Sequence, residues 1–168
     1  MSLEIRPATL ADLPAIHPLI ERAYRGDTAR LGWTHEADLL FDPRLEDDEL
    51  DVIVGDPAQE LLVLFENDAP LGCVNVAKRS DSLAYLGLLC IEPKRQGEHL
   101  GRKLIAAAET YARDAFGCSM MEMTVIEQRA ELVAYYERRD WQVTGERRDF
   151  PIKLDPPLFM TVLAKPLS

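Results

Sequence analysis

No apolar run in the 168-residue chain approaches the roughly 18 residues needed to span a bilayer. The opening "MSLEIRPATL" also lacks the basic-then-apolar pattern of an export signal. These two absences predict a cytoplasmic protein with no membrane partner. Cysteine is scarce: Cys73, Cys90 and Cys118 stand singly in apolar stretches, with no CxxC pair. That argues against a zinc ribbon and a disulfide framework, so the three read as small buried hydrophobes. Positive charge is in deficit, with 19 Lys and Arg against 29 Asp and Glu and a net charge of -10. Such a balance disfavours nucleic acid as the main partner, since phosphate backbones are gripped by basic patches. An acidic field suits a cationic substrate, although acidic surfaces more often serve solubility alone.

What is present is an ordinary globular composition, 47% hydrophobic and 29% charged, with no low-complexity tract. The length fits one domain, residues 1–168, able to bury a core without staples. "SLEIRPA" reads as a first strand, and Leu13, Ile16, Ile20 and Ala23 or Tyr24 then recur at helical spacing. Thr9 with Asp12 resembles a capping box, whereas Pro18 removes an interior hydrogen bond and predicts a kink or break. Between Gly26 and Asp48 the periodicity weakens, suggesting a functional loop with a short helix near Glu36 to Phe41. "DELDVIVGD" reads as a second helix.

Three strands follow, at about 60–66, 70–79 and 83–92, joined by the turns Asn67-Asp68 and Ser80-Asp81-Ser82 as an antiparallel meander. The third, "AYLGLLCI", is nearly all apolar, as a strand covered on both faces is. Leu100, Leu104, Ile105, Ala108 and Ala112 predict a helix ending at Gly117, and "CSMMEMTVIE" a strand parallel to the third. A helix through "RAELVAYYERRDW" and two closing strands complete a mixed α/β sheet with helices on both faces.

The chemistry-bearing feature is "IEPKRQGEHLGRK", where a strand turns into a helix. Backbone N–H groups and the helix dipole favour an anion there, and Lys94, Arg95, Arg102 and Lys103 reverse the chain's acidic balance locally. Two nucleotide motifs do not fit. Gly97 and Gly101 are separated by three residues rather than the four of GxxxxGK[ST], and His99 breaks GxGxxG. An unrelated phosphate-binding module would therefore have the wrong glycine spacing.

This stretch resembles the acetyl-CoA loop [QR]xxGx[GA] of the GNAT superfamily of N-acetyltransferases. Gln96 takes the first position and Gly101 the last, after Ile91-Glu92-Pro93, while His99 replaces the middle glycine. The resemblance extends from "IRPATLADLPAI" to "YYERRDW", where Asp140 replaces a second glycine. "YRGDTARLGWTHEADLL" is similar to a segment of a bacterial subgroup with poorly defined substrates.

The resemblance implies the GNAT acyl-CoA N-acyltransferase fold, a mixed sheet of six to seven strands with a splayed parallel pair in the middle. It implies acetyl-CoA as co-substrate, no metal, and direct attack by a primary amine, on a small molecule or a peptide. It places the pantetheine arm on the backbone of Leu89, Cys90 and Ile91, with the Ile91 N–H as oxyanion donor. It places the pyrophosphate on Gln96, Gly97, Glu98, His99, Leu100, Gly101 and Arg102, with Arg102 or Arg95 supplying charge. Tyr136 is implied as the proton donor to the departing thiolate, with Tyr135 as fallback, against a plain core role. Glu122, Glu36 and His35 are available as bases, as is ordered water, and Trp33, Thr34, His35 and Glu36 are acceptor-site candidates. A homodimer is common in the family. The alternative is a non-catalytic acyl-CoA sensor on the same fold.

Overall fold

The computed structural model describes residues 3–24, 45, 48–95, 98–150 and 157–167. The predicted short helix near Glu36 lies outside them. The elements in chain order are β1 (Leu3–Pro7), α1 (Leu13–Tyr24), α2 (Glu49–Gly55), β2 (Gln59–Glu66), β3 (Ala69–Lys78) and β4 (Leu83–Ile91). They are followed by α3 (Leu100–Asp114), β5 (Met120–Ile126), α4 (Ala130–Glu137), β6 (Gln142–Asp149) and β7 (Phe159–Pro166). The strands form one seven-stranded sheet in the order β1-β2-β3-β4-β5-β7-β6. Every neighbouring pair is antiparallel except β4 and β5, which the α3 crossover makes parallel.

The apolar strands have two covered faces. Leu61, Val63, Phe65, Cys73 and Cys90 pack with α1 and α2, whereas Leu62, Leu64, Val74, Leu86, Met121 and Met123 pack with α3 and α4. Successive side chains of a strand point to opposite faces, so two covered faces demand an unbroken apolar run. All three cysteines are buried, and Cys73 and Cys90 are cross-strand partners with sulfurs 3.6 Å apart.

The local signals hold with one exception. Asn67 and Asp68 turn β2 into β3 at positive φ, and Gly117 follows α3 at φ 68°. The Asp12 carboxylate accepts hydrogen bonds from the Thr9 N–H at 2.8 Å and its hydroxyl at 2.9 Å. The predicted kink or break at Pro18 is replaced by an unbroken helix from Leu13 to Tyr24. The acceptor Pro18 leaves unpaired is the Pro14 carbonyl, in the first turn, and five buried residues hold α1 to the sheet. Packing of an amphipathic face outweighs one missing bond.

Candidate active site

β4 and β5 pair over Leu83↔Met120, Ala84↔Met121 and Tyr85↔Glu122, and the ladder then stops. β4 continues on β3 as far as Ile91, and β5 continues on β7 as far as Ile126. The two parallel strands therefore part, and a cavity of about 320 Å³ lies between them. Its walls are the diverging strands, its mouth is the first turn of α3, and α4 contributes Leu132, Tyr135 and Tyr136.

A bulge shapes the β4 wall. Cys73 faces Cys90 and Asn75 faces Gly87, so Leu88 and Leu89 together oppose Val74. Leu88 takes φ 51°, a left-handed conformation that costs a non-glycine residue about 1–2 kcal/mol. Beyond the bulge, the Glu92 N–H donates to the Leu71 carbonyl at 2.7 Å. Backbone groups alternate sides along a strand, so the Ile91 N–H points the other way, to the side that β5 has left. Gly72 makes room for this end of β4: a Cβ there would lie 2.6 Å from the Cys90 carbonyl oxygen and from Ile91 Cδ1.

At the mouth, His99 takes φ 64° as the residue before α3. A non-glycine residue thus holds a left-handed conformation where the motif has glycine, and the imidazole makes no capping bond to the helix. The first helical bond runs from the Lys103 N–H to the His99 carbonyl at 3.4 Å, so the N–H groups of Leu100, Gly101 and Arg102 have no acceptor within the helix. All three residues line the cavity. Gln96 and Gly97 lie outside the described residues.

The two arginines proposed for the anion differ. Arg95 is engaged twice, by Glu66 at 2.9 and 3.1 Å and by Glu98 at 2.7 and 3.0 Å. Those bonds hold the Glu66 and Glu98 carboxyls below their ordinary range. Arg102 has no ion pair among the described residues and borders both the cavity and a second groove along α3. That groove also carries Arg138 and Arg139, likewise without an ion pair among the described residues. The Arg139 Nε is buried without an acceptor.

Tyr136 is 6% exposed, packed edge-on against Tyr135 and Trp141, and lines the cavity. Its hydroxyl has no hydrogen-bond partner among the described residues. Burial, reinforced by Tyr135, pushes its phenol well above the ordinary value, so it carries its proton at neutral pH. The Asp140 turn below it takes φ 73°, the left-handed geometry expected where the resemblance has glycine.

Glu122 is placed differently from the expectation of a base. It closes the paired end of the β4–β5 ladder, is not part of the cavity wall, and receives both Arg148 nitrogens at 3.1 Å. With both oxygens occupied, it acts as a strut tying β5 to β6. Trp33, Thr34, His35 and Glu36 lie outside the described residues. Sequence reasoning missed Tyr24, Tyr85, Thr124 and Arg129, which all line the cavity. Tyr85 and Thr124 join hydroxyls at 2.6 Å across the strands just where the ladder ends. A hydroxyl-bearing residue inside each largely apolar parallel strand, third in β4 and fifth in β5, was the available signal.

The model of the Acetyltransferase (GNAT) family matches residues 14–141. No curated protein matches the sequence. Among solved structures, the ribosomal-protein-S18-alanine N-acetyltransferase of Escherichia coli is 18% identical, with 99% of this chain and 95% of that one covered and a TM-score of 0.76. The yncA protein of Salmonella typhimurium, solved with its cofactor acetyl-CoA, is 21% identical, with 100% and 95% covered and a TM-score of 0.73. The spermidine N-acetyltransferase of Vibrio cholerae, solved with CoA and spermine, is 18% identical, with 98% and 95% covered and a TM-score of 0.70. At such identities these likenesses show the shared fold. The family match runs from Pro14 in α1 through the parted strands to Trp141 beyond α4, and on it the chain belongs to the GNAT acetyltransferase family.

Proposed function

We propose that the protein transfers the acetyl group of acetyl-CoA to a primary amine, on a small molecule or a peptide, by direct attack in a ternary complex. The observation that carries this reading is the early end of the β4–β5 ladder at Tyr85↔Glu122, which opens a cleft with a helix N-terminus at its mouth. A pantetheine arm fits such a gap because the facing edges of β4 and β5 no longer bond each other beyond Tyr85↔Glu122. Leu89, Cys90 and Ile91 would hold the arm. The N–H groups of His99, Leu100, Gly101 and Arg102, with those of Gln96, Gly97 and Glu98, would hold the pyrophosphate. The Arg102 charge is available for it, and the cationic groove beyond suits the remaining phosphate.

The amine lone pair attacks the thioester carbonyl carbon, and the C=O electron pair moves onto oxygen, facing the Ile91 N–H. Collapse of that adduct breaks the C–S bond, and the surplus proton on the attacking nitrogen leaves to ordered water, which afterwards reprotonates Tyr136. The Tyr136 phenol, neutral through burial, gives its proton to the departing thiolate. The acidic balance of the chain favours a cationic acceptor.

The test is CoA release from acetyl-CoA across an amine panel, with wild type and Tyr136→Phe. Release by wild type with a loss of about 100-fold in kcat for the variant is expected, the usual worth of a general acid. A fully active variant removes Tyr136 from the mechanism. Acetyl-CoA binding without turnover on any amine leaves the sensor reading.

A further inference from the structure

The last turn of α1 grips the end of β4 at two points. The Tyr24 hydroxyl donates to the Leu89 carbonyl at 2.7 Å, and the Arg22 guanidinium binds the Glu92 carboxylate at 2.8 and 3.2 Å. Leu89 is the second residue of the bulge, next to left-handed Leu88, where β4 no longer pairs with β5. The Tyr24 hydroxyl is the partner of its carbonyl among the described residues, and a half-buried carbonyl that loses its partner is destabilised.

From this we infer that Tyr24 is a positioning residue for the acyl thioester, its hydroxyl fixing the Leu89 carbonyl and with it the orientation of the β4 peptide groups that face the cleft. The inference rests on the acetyl-CoA reading above and assigns it a residue outside the loop, α4 and the strands. α1 is anchored independently of this bond, by buried Leu13, Ile16, Leu19, Ile20 and Ala23. Removing one hydroxyl leaves the helix docked. What it frees is a strand segment carrying a strained leucine, and that segment relaxes toward a regular ladder. The thioester carbonyl, which only acetyl-CoA brings to the Ile91 N–H, then loses its alignment, whereas the contacts that CoA shares, along the pantetheine arm and at the first turn of α3, are spread over several groups.

The experiment compares calorimetric affinities for acetyl-CoA and for CoA in wild type, Tyr24→Phe and Arg22→Gln. Tyr24→Phe, which keeps the ring, is expected to weaken acetyl-CoA about five- to tenfold and CoA less than about twofold, the worth of one hydrogen bond felt at the acyl end. Arg22→Gln loosens the same helix end without touching the Leu89 carbonyl, and a half-exposed ion pair predicts less than about a twofold change for either ligand. Discrimination between the two ligands is a readout that mere destabilisation does not move. Equal losses for both ligands in Tyr24→Phe, or none, overturn this inference alone. A wild type that binds neither ligand overturns the acetyl-CoA reading and this inference with it.

Discussion

The two halves of β4 share an apolar composition and differ in their company. Leu83 to Tyr85 are paired on both edges, while Leu86 to Ile91 are paired only with β3 and contain the bulge. The first half is scaffold, and its backbone groups are spent on the sheet. The second half turns one edge to the cleft instead of to β5, with Tyr24 holding the Leu89 carbonyl, at the expense of a left-handed leucine and a glycine opposite Ile91. In this protein a site is made by stopping a ladder early, and the supports around the stop are what hold it open.

The comparison is broken most severely at Gly72. Gly72→Ala puts a methyl 2.6 Å from the Cys90 carbonyl and forces the second half of β4 toward the cleft. A loss of about 2 kcal/mol in denaturant stability is expected, together with weaker acetyl-CoA binding by calorimetry, as for other overpacked sites. Gly55→Ala, with nothing within 4 Å of the added carbon, is the matched control and stays within about 0.5 kcal/mol. Equal stability of the two variants would mean that β4 is not held in place by the Gly72 contact.

A smaller effect, opposite in sign, is expected at the mouth. His99→Gly relieves the left-handed residue before α3, but the glycine adds entropy to the unfolded chain. The net is a gain of about 0.5 kcal/mol in thermal or chemical unfolding. Acetyl-CoA affinity should hold or rise, because the backbone N–H remains. A loss of affinity above about tenfold would show that the imidazole itself binds the ligand, since one lost contact of that size is a charge-assisted bond.

Much of the scaffold was legible in the sequence because its signals are local. Unbroken apolar runs, the Asn67-Asp68 turn, the spacing of Leu100, Leu104 and Ile105, and Gly117 each report the element they belong to. The strand-to-helix turn before Gly101 was legible through its family pattern, as was the left-handed cap at Asp140, whereas the left-handed geometry at His99 was not. The end of the ladder was not legible from spacing, since "LAYLGLLCI" reads alike on both sides of Tyr85. Nor were the partners that decide which charges are available. Arg95 meets Glu66 across 29 residues and Arg148 meets Glu122 across 26, so a candidate anion ligand and a candidate base each carry an ion-pair partner from a distant part of the chain. Pro18 failed as a helix breaker because the five residues α1 buries are a tertiary fact.

The central claim is that the second half of β4, and not the first, takes the acyl-CoA. Amide hydrogen exchange with and without acetyl-CoA tests it directly. The account predicts ligand-dependent protection at Leu89 and Ile91 and in the first turn of α3, with Leu83 to Tyr85 protected equally in both states. Protection spread evenly along β4, or confined to residues away from the parted strands, would contradict it.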